Sequence, residues 1–200
     1  MISILDYGAG NIGSVRNALE YLKVPCQVIS SAGDVEGAKK LIVPGVGNFG
    51  DMVDSLDRAG IRRSLEKSVA SGTPFLGICL GLQILFEGSE ESPGKRGLGI
   101  LEGDVRRLNT SLKVPHIGWN QIAITKAVPL FDGIQDNSYF YFVHSYAVVP
   151  RKSDVISSRT DYGIPFVSSS SLGNVYGVQF HPEKSGAIGL RMLRNFVELC

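Results

Sequence analysis

The stretch that decides the fold is FLGICLGLQILF, residues 75–86. Its first part is apolar on both faces of a strand, which is typical of a central parallel strand covered by helices. Cys79 follows with a glycine two positions to either side, and an amphipathic segment, 80–86, comes next. The pattern predicts a sharp strand-to-helix turn with a cysteine at its tip. A free cysteine is also among the most often buried residue types, so this window alone leaves Cys79 as either a nucleophile or a core residue.

Composition and charge narrow the class of protein. The 200 residues suffice for one large α/β domain, and we predict a single domain over residues 1–200. Hydrophobic residues make up 44% and charged residues 20%, as in ordinary globular proteins. Because the net charge is +1 and no basic cluster stands out, neither nucleic acid nor a membrane is expected as a partner.

The N-terminus shows no secretory signal, and no apolar run reaches the roughly 18 residues of a membrane span. The three cysteines form no CxxC pair. We therefore expect a cytoplasmic protein whose thiols stay free.

Strand and helix patterns alternate in the first half of the chain. Apolar residues recur at helical spacing over 12–22 and 51–72, with Gly60 a predicted break in the second segment. The second half is mainly strand-like, and it ends in a helix for which Ser185 is the predicted N-cap. We predict an α/β fold with a central, mostly parallel mixed sheet flanked by helices, and additional antiparallel strands in the second half. The predicted strands are ISILDY, PCQVIS, KLIVPG and PFLGI, then HIGWNQIAI, YFYFVHSYAVV, DVISSRT, PFVSSSS and NVYGVQF.

The motif GAGNIG, residues 8–13, has the G-x-G-x-x-G spacing of dinucleotide-binding loops and lies between a predicted strand and helix. Such loops are normally accompanied by an acidic residue at the end of the second strand, where this chain has Ser30 and Ser31. We therefore interpret the motif as a tight turn that glycine permits. A nucleotide-binding module, in which Cys79 would be dispensable, remains the non-enzymatic alternative.

The G-x-C-x-G of residues 77–81 is the arrangement of a nucleophile elbow, with sulfur in place of oxygen. A helix N-terminus favours the thiolate form, and the amide of Leu80 would point to where an oxyanion develops. The glycine-rich segment PGVGNFG, residues 44–50, follows a predicted strand and is a candidate second source of backbone donors. Cys26 and Cys200 lack such surroundings and are interpreted as structural or incidental.

A candidate base lies in VQFHPEKS, residues 178–185. In an extended segment His181 and Glu183 face the same way, so the carboxylate can bind one imidazole nitrogen and fix the tautomer. The other nitrogen would then face the thiol, as in Cys–His–acid sites. His116 and His144 have no adjacent acid and are interpreted as packing or hydrogen-bonded residues.

Together GICLG, PGVGNF and HPEKS resemble the motifs of the class I (triad) glutamine amidotransferases. PGVGNFG, HIGWN and VHSY are similar to one group of subunits within that class, and the resemblance covers essentially the whole chain. It implies a single-domain, flavodoxin-like fold and hydrolysis of glutamine through a thioester on Cys79. It further implies that His181 is the general acid and base and that Glu183 orients it. No metal and no cofactor are expected. One departure is Leu82, where the family more often carries methionine, a conservative exchange.

The resemblance also implies roles for residues that spacing alone does not single out. The backbone amides of Val46, Gly47 and Leu80 would surround the oxyanion. The amino and carboxylate ends of the substrate L-glutamine would be held by Gln83, Ser145 and Tyr146.

The same resemblance implies that this chain is half of an enzyme. The expected partner is a (β/α)8-barrel cyclase subunit that receives the ammonia within a heterodimer. Candidate contact residues are Asn11, Trp119, Tyr141 and Lys184. Two enzymatic alternatives stay open: a glutaminase that serves another synthase, such as one for pyridoxal phosphate or for sugar amidation, and a cysteine hydrolase or peptidase built on the same elbow.

Overall fold

The strand Phe75–Cys79, β4, lies at the centre of an eleven-stranded sheet in a computed structural model that describes the whole chain, Met1–Cys200. Its side chains alternate between two cores: Phe75 packs into one, and Leu76 and Ile78 pack into the other. Because both faces are covered, the strand is a continuous apolar run.

Strands and short helices follow one another along the chain. The strands are β1 (Ile2–Leu5), β2 (Cys26–Ile29), β3 (Leu41–Gly45), β4, β5 (Gly88–Ser89), β6 (Gly103–Arg107), β7 (His116–Gln121), β8 (Ala123–Ile124), β9 (Tyr139–His144), β10 (Tyr146–Pro150), β11 (Ile156–Asp161), β12 (Pro165–Leu172) and β13 (Val175–Val178). The helices are α1 (Ile12–Tyr21), α2 (Ala32–Glu36), α3 (Phe49–Arg58), α4 (Arg62–Ala70), α5 (Leu80–Gln83) and α6 (Gly186–Leu199). Single 3-10 turns cover Pro129–Phe131, Ser153–Val155 and Pro182–Lys184.

The main sheet has the order β2-β1-β3-β4-β13-β12-β10-β6-β5, and β11 and β8 extend it beside β12. The strands β2, β1, β3, β4 and β13 are parallel to their neighbours in this run. The pairs that follow, β13 with β12, β12 with β10 and β10 with β6, are antiparallel. The predicted fold class, including the added antiparallel strands of the second half, is confirmed. Since parallel strands end at the same edge, the segments after β1, β3, β4 and β13 meet there.

The helices cover both faces of the parallel part of the sheet. Val15 of α1 and Phe196 of α6 belong to the core on one face. Leu56 of α3 and Leu65 of α4 belong to the core on the other face. The break predicted at Gly60 separates α3 from α4, and its φ of +67° lies in the left-handed region that favours glycine. None of the helices combines the length and apolar character needed to cross a lipid bilayer.

The first glycine-rich motif forms the tight turn between β1 and α1 that we predicted. Gly8 and Gly10 have φ values of +93° and +131°, which side chains other than glycine rarely adopt. The N–H of Gly8 donates to the carboxylate of Asp6, which closes the turn.

Several local predictions differ from the structure. The predicted strand HIGWNQIAI, residues 116–124, breaks at Ile122 into β7 and β8, which belong to different sheets. The segment 80–86 is not an amphipathic helix, because every residue in it is buried and only α5 is helical. The run 139–149 is not one strand: it breaks at Ser145 into β9 and β10, which belong to different sheets. Ser185 stands at the N-cap of α6, but its hydroxyl does not cap; it donates to the carbonyl of His181 and accepts from the N–H of Tyr141.

Candidate active site

Cys79 occupies a strained turn at the junction of β4 and α5. Its φ of +56° and ψ of −107° are rare for a residue with a side chain and cost on the order of 1–3 kcal/mol. The flanking glycines make the turn possible. A Cβ on Gly77 would lie 2.1 Å from the carbonyl oxygen of Gly81, and a Cβ on Gly81 would lie 1.9 Å from the carbonyl oxygen of Val43. The sharp turn predicted from G-x-C-x-G is therefore present.

The thiol opens onto a cavity of about 320 Å³ at the edge where the parallel strands end. This volume is within the range of small-molecule sites, which begins at about 300 Å³. Eight of the predicted catalytic and substrate-binding residues line it: Val46, Gly47, Cys79, Leu80, Gln83, Ser145, Tyr146 and His181. The ninth, Glu183, lies behind His181.

His181 and Glu183 form a buried pair beside the cavity. The imidazole Nδ1 lies 2.8 Å from Oε1 of the carboxylate, and both side chains are 1% exposed. The predicted contact is present, although the segment is not extended throughout, because Pro182 begins a 3-10 turn that contains Glu183. The N–H of His181 donates to the carbonyl of Tyr141, which fixes the backbone of the pair.

The electrostatics of this pair favour a protonated imidazole. Burial lowers the pKa of His181, but the Cys79 thiol and the Glu183 carboxylate outweigh it and raise that pKa to about 10. The Nε2 atom of His181 is buried and makes no well-formed hydrogen bond. That nitrogen is therefore free to exchange a proton with a group bound in the cavity.

Three residues at the cavity have a backbone N–H without a backbone acceptor, and that of Val46 approaches the Tyr7 hydroxyl. The N–H groups of Val46 and Gly47 donate to no backbone carbonyl. Leu80 is the first residue of α5, so its N–H has no acceptor within the helix. Such free N–H groups are the donors that stabilise an oxyanion.

Two further polar residues reach this site although no sequence pattern singled them out. Glu91 lines the cavity, and its Oε2 accepts a hydrogen bond of 2.8 Å from the N–H of Phe49. The side chain of Gln179 is fully buried, and its Nε2 lies 3.5 Å from Sγ of Cys79. In the sequence, Gln179 is only a polar residue within the apolar run before His181. Glu91 is an acidic residue in a loop, and only the fold brings it to the cavity.

His144 also lines the cavity, and it forms a hydrogen-bonded pair with His116 behind it. Nδ1 of His116 lies 3.0 Å from Nε2 of His144, whose Nδ1 lies 2.9 Å from the carbonyl oxygen of Tyr146. The His116 ring stacks between Phe142 and Tyr162. Burial lowers the pKa of His116 to about 4 and that of His144 to about 3, so both rings are neutral at pH 7. No group of three or more His, Cys, Asp and Glu side chains is arranged to hold a metal ion.

The predicted partner contacts lie next to the His181–Glu183 pair. Trp119 is 56% exposed and stands opposite Tyr141 in the two-stranded sheet of β7 and β9, with 6.1 Å between ring centroids. Nζ of Lys184 lies 5.9 Å from the centre of the Tyr141 ring. We call these three residues the aromatic patch. Asn11 differs, because its side chain is part-buried and donates to Oε1 of Glu183 at 3.2 Å.

Residues 3–200 match the family model described as glutamine amidotransferase class-I. This match and the geometry above show that the chain belongs to the class-I glutamine amidotransferases, a family of enzymes. Within it, the chain is similar over its full length to proteins named imidazole glycerol phosphate synthase subunit HisH. The relative from Pyrococcus furiosus is 51% identical over 199 residues, which are 99% of this chain and 98% of that protein. The relative from Methanocaldococcus jannaschii is 50% identical over 200 residues, which are 100% of both.

Longer and more distant proteins contain the same fold. The chloroplastic imidazole glycerol phosphate synthase hisHF of Arabidopsis thaliana is 47% identical over 201 residues, 98% of this chain and 34% of that protein. A solved glutamine amidotransferase is 25% identical with a TM-score of 0.75, covering 99% of this chain and 97% of its own. The structure of PurLQS from Thermotoga maritima has a TM-score of 0.78 and covers 98% of this chain and 96% of its own. Because its sequence identity is 17%, it supports the fold alone.

Proposed function

We propose that this chain is the glutaminase subunit of an imidazole glycerol phosphate synthase. It hydrolyses glutamine to glutamate and ammonia, and it passes the ammonia to a cyclase subunit. In histidine biosynthesis that cyclase makes imidazole glycerol phosphate and an aminoimidazole carboxamide ribotide. The main support for this chemistry is the placement of Cys79, which lies in a strained turn at a cavity beside the His181–Glu183 pair. The full-length similarity to HisH subunits favours this synthase over other acceptors.

The cavity has groups suited to both ends of an amino acid. Nε2 of Gln83 donates to the Tyr146 carbonyl at 3.1 Å and to Gln179 at 3.0 Å, so its Oε1 remains to accept from an α-ammonium group. The carboxylate of Glu91 supplies the opposite charge for the same ammonium. Ser145 and Tyr146 line the cavity at the break between β9 and β10, and we assign them to the α-carboxylate.

The first half-reaction forms a thioester. The Cys79 thiolate attacks the side-chain amide carbon of glutamine, and a C–S bond forms while the carbonyl oxygen becomes an oxyanion. The amides of Val46, Gly47 and Leu80 hold that charge. When the oxyanion collapses, the C–N bond breaks and the His181 imidazolium gives its proton to the leaving nitrogen, which departs as ammonia.

The second half-reaction releases glutamate. Neutral His181 accepts a proton from a water molecule as the water oxygen attacks the thioester carbon. The C–S bond then breaks and the thiolate re-forms beside the imidazolium. Glu183 keeps Nδ1 protonated throughout, so Nε2 alone exchanges protons with the substrate.

We assign the outer face of the β7–β9 sheet to the cyclase subunit. Three large apolar or aromatic side chains on this face are exposed: Ile117 (58%), Trp119 (56%) and Tyr139 (55%). Apolar residues grouped in this way on a surface mark docking sites. Lys184 adds a charge at the border of this face, directly after the residue that holds His181. The proposed assembly is a heterodimer with a (β/α)8-barrel cyclase, and Asn11 is a further contact candidate.

The proposed compartment is the cytoplasm. All three cysteines are free thiols in the structure. Free thiols persist where the surroundings are reducing.

The first test labels the nucleophile. A diazoketone analogue of glutamine should add once per chain at Cys79, with loss of dinitrogen, and peptide mass mapping identifies the site. Cys79→Ser should abolish glutamate release, because a hydroxyl is far less ionised than a thiol. Labelling of Cys26 or Cys200 instead would overturn the assignment.

The second test compares His181 with His116 and then asks whether a cyclase subunit stimulates the chain. His181→Ala should lower glutamate release by about 10²-fold or more, the scale of general acid–base catalysis, whereas His116→Ala should cost far less. Glutamate release should rise when a cyclase subunit and its nucleotide substrate are added. Full activity of the chain alone, unchanged by the cyclase, would identify a free-standing glutaminase instead.

A further inference from the structure

We infer that the side-chain amide of Gln179 is a catalytic group, which donates a hydrogen bond to Sγ of Cys79 and stabilises the thiolate. This inference rests on the proposed role of Cys79 as nucleophile. Nε2 of Gln179 lies 3.5 Å from Sγ, an ordinary N–H···S distance, and the residue is fully buried. Its backbone N–H donates to Ser168 of β12, so the residue is anchored at both ends.

The neighbours of Gln179 determine which end of the amide faces the sulfur. A peptide carbonyl only accepts, so the Gln83 atom 3.1 Å from the Tyr146 carbonyl oxygen is the NH2 group. The same NH2 lies 3.0 Å from one terminal atom of Gln179, which must therefore be Oε1. The remaining terminal atom of Gln179 is the NH2 group, and this is the atom that faces Sγ.

The Tyr146 carbonyl that determines this orientation is itself held in place. Nδ1 of His144 donates to it at 2.9 Å, and His144 accepts from His116. The histidine pair, through His144, and Gln83 both donate to this carbonyl oxygen, and Gln83 also donates to Gln179, so every donor in the network meets an acceptor. The amide therefore has one orientation available to it.

A buried thiolate needs donors, because burial removes its hydration. The carbonyl oxygen of Val143, 3.9 Å from Sγ, can accept from a neutral S–H group but gives nothing to a thiolate. The Gln179 amide gives a hydrogen bond that strengthens when the sulfur is charged. Because an amide does not titrate, it keeps this role while His181 gains and loses its proton. Gln179 thus stabilises the negative charge on sulfur, whereas His181 transfers protons.

The test is the rate at which iodoacetamide alkylates Cys79 in the full chain, measured against pH with peptide mapping of that cysteine. Gln179→Met keeps the length of the side chain but removes the donor. We expect it to lower alkylation about tenfold at mildly acidic pH, the size expected for a hydrogen bond to a charged group. The two rates should converge at alkaline pH, where the thiol is ionised in both proteins. The matched control is Gln27→Met on exposed β2, which should leave the profile unchanged.

The outcomes separate this inference from the proposed function. If Cys79 of the unmodified protein is no more reactive than Cys26 at mildly acidic pH, the nucleophile assignment fails. If it is more reactive but folded Gln179→Met gives the same pH profile, only the role of Gln179 is overturned. Should Gln179→Met not fold, Gln179→Leu also removes the donor, and an unchanged alkylation profile in that folded variant would overturn the inference.

Discussion

The side-chain amide of Asn11 donates to the same carboxylate oxygen of Glu183 that binds His181. Asn11 stands at the N-cap position of α1 but makes no capping hydrogen bond, so its amide serves Glu183 instead of the helix. The other oxygen, Oε2, is buried without a partner. Asn11 and His181 are therefore the two donors that orient this carboxylate, and the glycine turn before Asn11 positions one of them.

Removing the side-chain amide of Asn11 should make His181 a less effective base, because Glu183 would be held less firmly. We expect Asn11→Ala to lower glutamate release about tenfold in the presence of saturating cyclase, since a hydrogen bond to a charged group is lost. The loss should be smaller than that of His181→Ala. Asn17→Ala, on the exposed side of the same helix, is the control and should behave as the unmodified chain. Equal turnover in Asn11→Ala would show that His181 alone holds the carboxylate.

The buried histidine pair should make the fold sensitive to acid. Burial lowers the pKa of His116 to about 4, whereas in the unfolded chain it has the ordinary value of about 6.5. Between these values the unfolded state binds a proton that the folded state does not. The free energy of unfolding therefore decreases as the pH falls from about 6.5 towards about 4.

Urea denaturation at several pH values measures this effect. His116→Asn removes one titrating group, and its free energy of unfolding should depend less steeply on pH in that range, by up to about 1.4 kcal/mol per pH unit. Above pH 7 both proteins should give parallel curves, because His116 is then neutral in the folded and in the unfolded state. Parallel curves in acid as well would show that His116 is protonated in the folded protein.

The elbow glycines should be among the least replaceable residues of the chain. Gly81→Ala would place a Cβ 1.9 Å from the carbonyl oxygen of Val43 in β3, which is backbone and cannot move aside. We expect a loss of about 4 kcal/mol or more in the free energy of unfolding, or no folded protein. Gly13→Ala on α1 meets no atom within 4 Å and should be neutral or stabilising by up to about 1 kcal/mol. Urea denaturation compares the two, and similar stabilities would contradict the close approach.

Much of the fold could be predicted because local patterns and tertiary structure agree in the first half. The run that became β4 is apolar on both faces since helices cover both, and the α3–α4 break coincides with Gly60 at a positive φ. The nucleophile turn was predictable for the same reason, because only glycine allows the backbone contacts around Cys79. The Gly60 turn and the contact between Gly77 and Gly81 depend on neighbours close in sequence.

Features that depend on distant neighbours escaped prediction. The run 139–149 alternates like one strand, but its two halves pair with β7 and with β6 and β12, and the break at Ser145 is imposed by those partners. Gln179 looked like one polar residue in an apolar run until the fold placed Cys79 beside it, 100 residues away in sequence. Glu91 reaches the cavity because its loop is tied to the N-terminus of α3. Propensity and spacing carry no information on such contacts.

The aromatic patch should link partner binding to catalysis. Lys184 directly follows Glu183, so a partner that holds Lys184 also constrains the turn that carries the carboxylate. We expect Lys184→Ala and Tyr141→Ala to lower the stimulation of glutamate release by the cyclase about tenfold, the size of a hot-spot contact in an interface. Diazoketone labelling of Cys79 should continue in both. Lys39→Ala, exposed before β3 at the opposite edge of the sheet, should leave stimulation unchanged.

Trp119 is the only tryptophan of the chain, and it is more than half exposed beside Tyr141. The protein thus carries a built-in optical probe at the face assigned to the cyclase. Indole emission shifts to shorter wavelength when water is removed from the ring. Titration with a partner that covers Trp119 should therefore produce a blue shift with no added dye, whereas glutamine in the neighbouring cavity should leave the emission wavelength unchanged. Assembly and substrate binding can in this way be followed separately in one cuvette.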